Sequence, residues 1–201
     1  MKTRAIRERI IEAADQLFYQ QGFAHTSFSD IAGVVGISRG NFYYHFKSKD
    51  EILDAVINER LQNTQNMLDM WEEDAPTPEA RIRCYIHILL TNRNKIMRYG
   101  CPVGTLCGEL AKLDHCERTE AIRLFDLFRA WLRHQFTQLG HKEDADRLAM
   151  HVLAWSQGVA TLANAYEDKD FIDQEIQMIC TWLEAYTQST KRSQHSSDAL
   201  H

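Results

Sequence analysis

Proline and glycine are scarce, at three and nine of 201 residues. That excludes a collagen-like or Pro/Gly-rich disordered chain and disfavours a turn-dense β architecture. No apolar run reaches the roughly 20 residues that cross a bilayer, and no signal-peptide pattern opens the chain. A cytoplasmic protein with no membrane partner is therefore expected. Cysteines are few and awkwardly spaced: Cys84, Cys101, Cys107, Cys116 and Cys180 form an odd set without a C-x-x-C pair. Structural zinc is not expected from such spacing, and cytoplasmic thiols stay reduced. No metal or cofactor is assigned.

Positive charge is also in deficit, with a net charge of −5. Its distribution matters more than its sum. Residues 1–49 hold seven basic side chains (Lys2, Arg4, Arg7, Arg9, Arg39, Lys47, Lys49) against four acidic ones, a local +3 that leaves −8 for the remainder. A basic head on an acidic body permits phosphate contact at one end.

What is present is apolar content, 44% of residues, with helical period almost throughout. Ile6, Ile10, Ala13 and Leu17 recur as on one helix face, and Gly22 is a plausible stop. Ser27 with Asp30 reads as a capping box ahead of Phe28, Ile31, Ala32 and Val35. Gly36 ends that short helix, and Ser38 caps a third running to about His45. Two short helices joined by a tight glycine turn are the helix-turn-helix signature. Ser48 and Glu51 suggest another capping box, opening a long helix to about Glu73. Further helices are predicted at about 78–98, 102–113, 118–139, 143–166 and 169–189. Beyond residue 190 the period is lost, so a disordered tail is expected. The predicted fold is all-α: a three-helix DNA-binding domain (1–48), a helical ligand-binding and dimerisation bundle (49–190) and a tail (191–201).

Residues 38–46 read Ser-Arg-Gly-Asn-Phe-Tyr-Tyr-His-Phe. A recognition helix needs a slim polar leading end. Arg39 suits guanine edges and Asn41 adenine, while Gly40 keeps the backbone close to the bases. Tyr43, Tyr44 and His45 can donate to phosphates, and Phe42 and Phe46 would anchor the helix. Thr26, Ser27 and Lys49 lie at helix starts, where hydroxyls, free N–H groups and positive charge favour phosphate.

The stretch from Ala5 to about Ile57 resembles the TetR family of repressors. It carries Gly22-Phe, Thr26-Ser-Phe-Ser-Asp-Ile-Ala and Val35-Gly-Ile-Ser-Arg-Gly-Asn-Phe-Tyr-Tyr-His-Phe-Lys-Ser-Lys-Asp-Glu-Ile-Leu. The resemblance implies an all-helical homodimer that binds palindromic operator DNA and is released by a small-molecule effector. It also implies that Thr26, Ser27, Ser38, Arg39, Gly40, Asn41, Tyr43, Tyr44, His45 and Lys49 stand at the DNA-contacting positions. Repression, rather than activation, is what the family habit implies.

In the body, dense aromatics suggest a pocket for an apolar or aromatic effector, with Tyr99, Phe128, Trp131 and Trp155 as wall candidates and core packing as the alternative. Polar candidates in the same helices include His87, Asn92, Glu109, His151 and Gln157. Cys101 precedes Pro102 at a helix start, where a thiol can become a reactive thiolate. With Cys107 and Cys116 it forms a candidate thiol-sensing group. The alternative is a buried, inert cysteine, with Gly104 and Gly108 serving close packing. Leu148, Val152, Trp155, Val159 and Leu162 make a stripe expected to form the dimer seam in a four-helix bundle, or else to face the chain's own core. Cys101 with His115 is the one nucleophile–base suggestion, and it lacks a motif, so no catalytic residue is assigned.

Overall fold

A computed structural model describes the backbone of residues 2–198 and the side chains of residues 5–188 other than 169. The described residues form helices and turns with no strand among them, as the all-α reading expects. The helices are α1 (Lys2–Gln21), α2 (Phe28–Val35), α3 (Arg39–His45), α4 (Lys49–Asp74), α5 (Pro78–Thr91), α6 (Arg93–Tyr99), α7 (Pro102–Lys112), α8 (Arg118–Gln138), α9 (Ala145–Tyr166) and α10 (Lys169–Asp198). Among the described residues no helix is long and apolar enough to cross a membrane.

Contacts divide the chain into two compact units. The first holds the residues up to Gln65 together with Pro102–Phe125; the second holds Asn66–Cys101 and the residues from Asp126 onward. The first unit is built on a core of Ile10, Ala14 and Phe18 from α1, Ile31 from α2, Phe42 from α3 and Ile52 from α4. Leu106 and Leu110 of α7 and Ala121 of α8 are buried in the same cluster. Each fully buried aliphatic or aromatic side chain contributes about 1.5–3 kcal/mol relative to exposure. The unit that carries the helix-turn-helix thus extends well beyond residue 48.

In the second unit, α5 and α6 are separate helices where one helix over 78–98 was expected. Asn92 stands between them, and its side-chain amide donates to the Ile88 carbonyl at 3.0 Å. Asparagine competes in this way with the helix's own ladder, which is why it favours helix ends. Gly100 closes α6 at φ 79°, ψ −168°, a conformation only glycine adopts readily. Arg81 on α5 covers the C-terminal end of α4, donating to the carbonyls of Ala75 and Glu72, both at 3.0 Å. The Tyr85 hydroxyl is buried against Ser156 Oγ at 2.9 Å, tying α5 to α9. Arg93 of α6 pairs with Asp173 of α10 at 2.9 Å. Helix α10 continues to Asp198 instead of giving way to disorder at 191. The segment after Thr190 has no glycine or proline to stop it, and Lys, Arg and Gln are good helix formers. Residues 199–201 of the expected tail lie outside the described residues.

Candidate nucleic-acid interface

Helix α2 begins at Ser27, whose extended backbone (φ −103°, ψ 162°) turns its side chain onto the helix start. Ser27 Oγ accepts from the Asp30 N–H at 3.2 Å, and the Asp30 carboxylate accepts from the Ser27 N–H at 2.8 Å and the Ser27 hydroxyl at 2.7 Å. The capping box read from the sequence is therefore formed. The Ser27 hydroxyl first, and the Ser27 N–H second, hold the Asp30 carboxyl below its ordinary value. The helix ends at Gly36, left-handed at φ 72°, with its N–H on the Ala32 carbonyl at 2.9 Å. Arg9 of α1 donates to the Val35 carbonyl at 2.6 Å, satisfying another exposed end group of the same helix.

Ser38 caps α3 by accepting from the Asn41 N–H at 3.3 Å. Phe42 and Phe46 are buried, at 1% and 2% exposure, and fix one side of α3 to the core. Phe28 meets Phe42 and Tyr43 edge-on, at 5.1 and 5.4 Å. The other side of α3 presents Arg39, Gly40, Asn41, Tyr43 and Tyr44, all exposed, with Tyr44 at 71%. Arg39 donates to Ser29 Oγ at 2.9 Å across a recess between α2 and α3 whose rim includes Ser27, Ser29 and Tyr43 and whose floor includes Phe28 and Phe42. A Cβ added at Gly40 would meet nothing within 4 Å, so the protein's own packing does not demand glycine there.

Two of the predicted contact residues are turned to other work. Thr26 is buried at 2% exposure; its hydroxyl donates to the Gly22 carbonyl at 2.7 Å and accepts from Gln21 at 3.2 Å. It shapes the α1–α2 turn from inside and offers no side chain to a phosphate. Lys49 donates to the carbonyls of Phe23 (2.9 Å) and Thr26 (3.3 Å) and lies over the Phe23 ring at 4.1 Å. It holds the same turn against the start of α4. Ser27 and Ser38 are exposed caps, and His45 is half-buried with its ring against Tyr44. Ser48 caps α4 by accepting from the Glu51 N–H, but Glu51 closes on the Lys47 N–H at 2.7 Å, one residue earlier than the expected box.

One further support has no local signal in the sequence. Glu109 on α7 accepts from the backbone N–H groups of Phe23 at 2.9 Å and Ala24 at 2.8 Å. It thus clamps the α1–α2 turn from more than 80 residues away and is not a polar group of the body. His115, on the α7–α8 turn, packs its ring on Phe23 at 5.0 Å and faces Asp50 at 3.3 Å. Asp50, His115 and Cys116 offer oxygen, nitrogen and sulfur atoms within 4.8 Å of one another, a grouping able to hold a cation. In the folded chain His115 already serves as a hydrogen-bonded link, with Nδ1 accepting from the Glu117 N–H at 3.1 Å. Partial burial first, and then the Asp54 and Glu120 carboxylates, raise the Glu117 carboxyl above its ordinary value.

The sequence profile of "Bacterial regulatory proteins, tetR family" matches residues 10–56, the segment that forms this surface. A probable HTH-type transcriptional regulator from Pseudomonas putida, ArpR, is 44% identical over 76% of this chain and 77% of its own length. This chain belongs to the TetR family of transcriptional regulators. Another relative, the HTH-type transcriptional repressor DhaR of a Mycobacterium species, is 25% identical over 98% of this chain and its own full length. The crystal structure of a TetR transcriptional regulator from Legionella pneumophila superimposes with a TM-score of 0.77, at 24% identity, covering 86% of this chain and 94% of that one.

In the body of this TetR-family regulator the apolar stripe takes the second of its two expected places. Leu148, Val152 and Val159 are buried within the second unit, at 2%, 0% and 4% exposure. They face the chain's own core, which removes them from any surface that could meet a second copy. Leu162 is exposed at 45%, and Trp155 is half-buried with its indole N–H on Glu175 at 3.2 Å. Of the pocket candidates, Phe128 packs edge-on against Tyr85 at 5.3 Å and Trp131 lies against Trp71 at 5.7 Å. Tyr99 is half-buried, with the Arg98 guanidinium 5.1 Å from its ring. Cys101 is half-buried and closes the first of the two chain segments that make up the second unit. Cys107 packs on the core of the first unit, with its thiol on the Ala121 carbonyl at 3.4 Å. Burial pushes the Cys84 and Cys180 thiols up.

Proposed function

We propose that this chain is a ligand-responsive repressor that binds a palindromic operator as a homodimer and leaves it when a small molecule occupies its body. The observation that carries the DNA reading is the exposed row of Arg39, Gly40, Asn41, Tyr43 and Tyr44 on a helix fixed from behind by Phe42 and Phe46. Open space at Gly40 suits close approach of a base edge, since a side chain there would stand between backbone and groove. Arg39 and Asn41 would read bases. Ser27, Ser38, Tyr43 and Tyr44 would contact phosphates, with His45 beside them, while Thr26 and Lys49 position the turn that presents the reading helix.

Two recognition helices must stand about 34–36 Å apart to read successive major grooves on one face of the duplex. A second copy supplies the second helix. The outward face of α9 supports that pairing: Ala154, Gly158, Leu162 and Ala165 are all exposed and recur at helical spacing. Small residues there let two helices approach closely, and packing α9 and α10 on their symmetry mates gives an isologous four-helix interface. An effector that binds better to a body conformation incompatible with that spacing would weaken DNA binding by its differential affinity for the two states.

The test is fluorescence anisotropy of duplex DNA from upstream of the protein's own gene, with wild type and Arg39→Ala at two salt concentrations. Salt-sensitive binding that a scrambled duplex does not share is expected, weakened in the variant by the roughly 1–3 kcal/mol of one bidentate base contact. Binding that ignores both sequence and Arg39 would refute the assignment of α3 as the reader.

A further inference from the structure

In the second unit, α8 carries two buried polar atoms with no hydrogen-bond partner among the described residues: Trp131 Nε1 and Gln135 Oε1. Trp131 is 8% exposed and Gln135 is fully enclosed. Folded proteins leave few such groups, because a buried donor or acceptor loses its water without replacement. Here two occur four residues apart, so they rise from the same face of one helix. Their senses are complementary: the indole N–H only donates, and the amide oxygen only accepts.

The surroundings fix both groups. Gln135 Nε2 donates to a Glu72 carboxylate oxygen at 3.0 Å. A carboxylate accepts and cannot donate to the amide oxygen, so the orientation of the amide is set and Oε1 is the end left over. The Trp131 ring is braced by Trp71 at 5.7 Å and 58°. One turn earlier on the same helix, Phe128 stands against Tyr85. The Tyr85 hydroxyl is already engaged by Ser156. Flat aromatic walls thus accompany one free donor and one free acceptor.

We propose that Trp131 and Gln135 are the polar recognition pair of a binding site for a neutral planar aromatic molecule that carries an acceptor beside a donor, as a lactam or an aromatic carboxamide does. The ligand carbonyl takes the Trp131 N–H, and the ligand N–H donates to Gln135 Oε1. The Glu72 carboxylate, which accepts from Gln135 Nε2 at 3.0 Å, disfavours an anion, and the Trp131 N–H, a donor that needs an acceptor, is poorly met by a cationic group. A pure hydrocarbon would leave both protein groups unmet. The inference rests on the reading of the chain as ligand-responsive, and it gives that ligand a chemical class.

Calorimetric titration of the full chain with 2-quinolinone, a fused aromatic lactam, and with naphthalene, its apolar counterpart, tests the pair. Trp131→Phe removes the donor, and Gln135→Met removes the acceptor at similar volume. One 2-quinolinone per chain is expected, with affinity falling at least about tenfold in each variant, while naphthalene changes less than about twofold. Two results would overturn the proposal: 2-quinolinone binding wild type no better than naphthalene, or binding that both substitutions leave unchanged, in which case the pair serves a bridging water only. The wild-type ratio of the two ligands decides the matter even if a variant fails to fold. Release of operator DNA is measured in parallel. Pair-dependent binding without release would leave the site standing and sink the ligand-responsive reading.

Discussion

Replacing Glu109 with alanine should unfasten the DNA-binding unit from within. The Glu109 carboxylate accepts from two backbone N–H groups, one partly buried at Phe23 and one exposed at Ala24. A hydrogen bond to a charged group contributes about 1.5–3 kcal/mol when its partner is left buried without a replacement, and far less when water can step in. The Phe23 N–H belongs to the first class and the Ala24 N–H to the second, so a loss of about 2–3 kcal/mol is expected. Glu109→Gln keeps one accepting oxygen and should lose about half as much. The four tryptophans, Trp71, Trp131, Trp155 and Trp182, all lie in the second unit. Tryptophan fluorescence therefore follows that unit alone, whereas far-UV circular dichroism follows helices in both. In urea the dichroism transition of Glu109→Ala should begin at lower denaturant while the fluorescence midpoint stays near that of wild type. A loss below about 0.5 kcal/mol would show the clamp to be energetically idle. Equal shifts in both signals would show that the units do not unfold separately.

Phe42→Ala should cost about 3–5 kcal/mol, because Phe42 is 1% exposed in the core of the first unit; a urea titration followed by dichroism measures it. The Asp30 carboxyl is held below its ordinary value, so its capping contribution is present above the ordinary carboxylate pKa and is lost as pH falls through the folded value. An acid titration should show a shallower loss in Asp30→Asn than in wild type. Glu59 has the opposite sign: burial first, then the Asp15 and Glu12 carboxylates, raise it, so stability falls as pH climbs from its ordinary value to its raised one. Glu59→Gln should remove that fall, which melts at acid and neutral pH would reveal. With a maleimide reagent, the exposed Cys116 should label first and Cys84 and Cys180 last, since burial disfavours their thiolates; peptide mass analysis over time gives the order.

The helix-turn-helix was legible because its signals are local. A cap, a stop glycine and a 3.6-residue period are each set within four residues, and Ser27, Gly36 and Ser38 stand where those rules put them. The side-chain directions of Thr26 and Lys49 are not legible, because spacing places a residue at a helix start without saying which way its side chain turns. Both turn inward, onto carbonyls of the α1–α2 turn. Glu109, Leu106 and Leu110 could not be assigned to the head at all, because their partners are remote in sequence and no periodic rule links them. The stripe of Leu148, Val152 and Val159 was correctly read as apolar, but period alone does not distinguish a core from an interface. Gln135 carries no signal of its own, because a glutamine among hydrophobic residues looks like a surface position until its burial is known.

The membership of α7 and the first turns of α8 in the DNA-binding unit bears on how such a regulator can be recombined. The head is not a contiguous cassette: its hydrophobic interior is completed by Leu106, Leu110 and Ala121, supplied after an intervening stretch of the other unit. A fragment cut at Gln65 would carry α2 and α3 but expose the apolar surface those residues cover. A chimera that grafts this head onto another body would need to bring residues 102–125 with it, Glu109 included. Point substitutions on the exposed side of α3 leave that interior intact, but exchange of whole heads by a single crossover would split it.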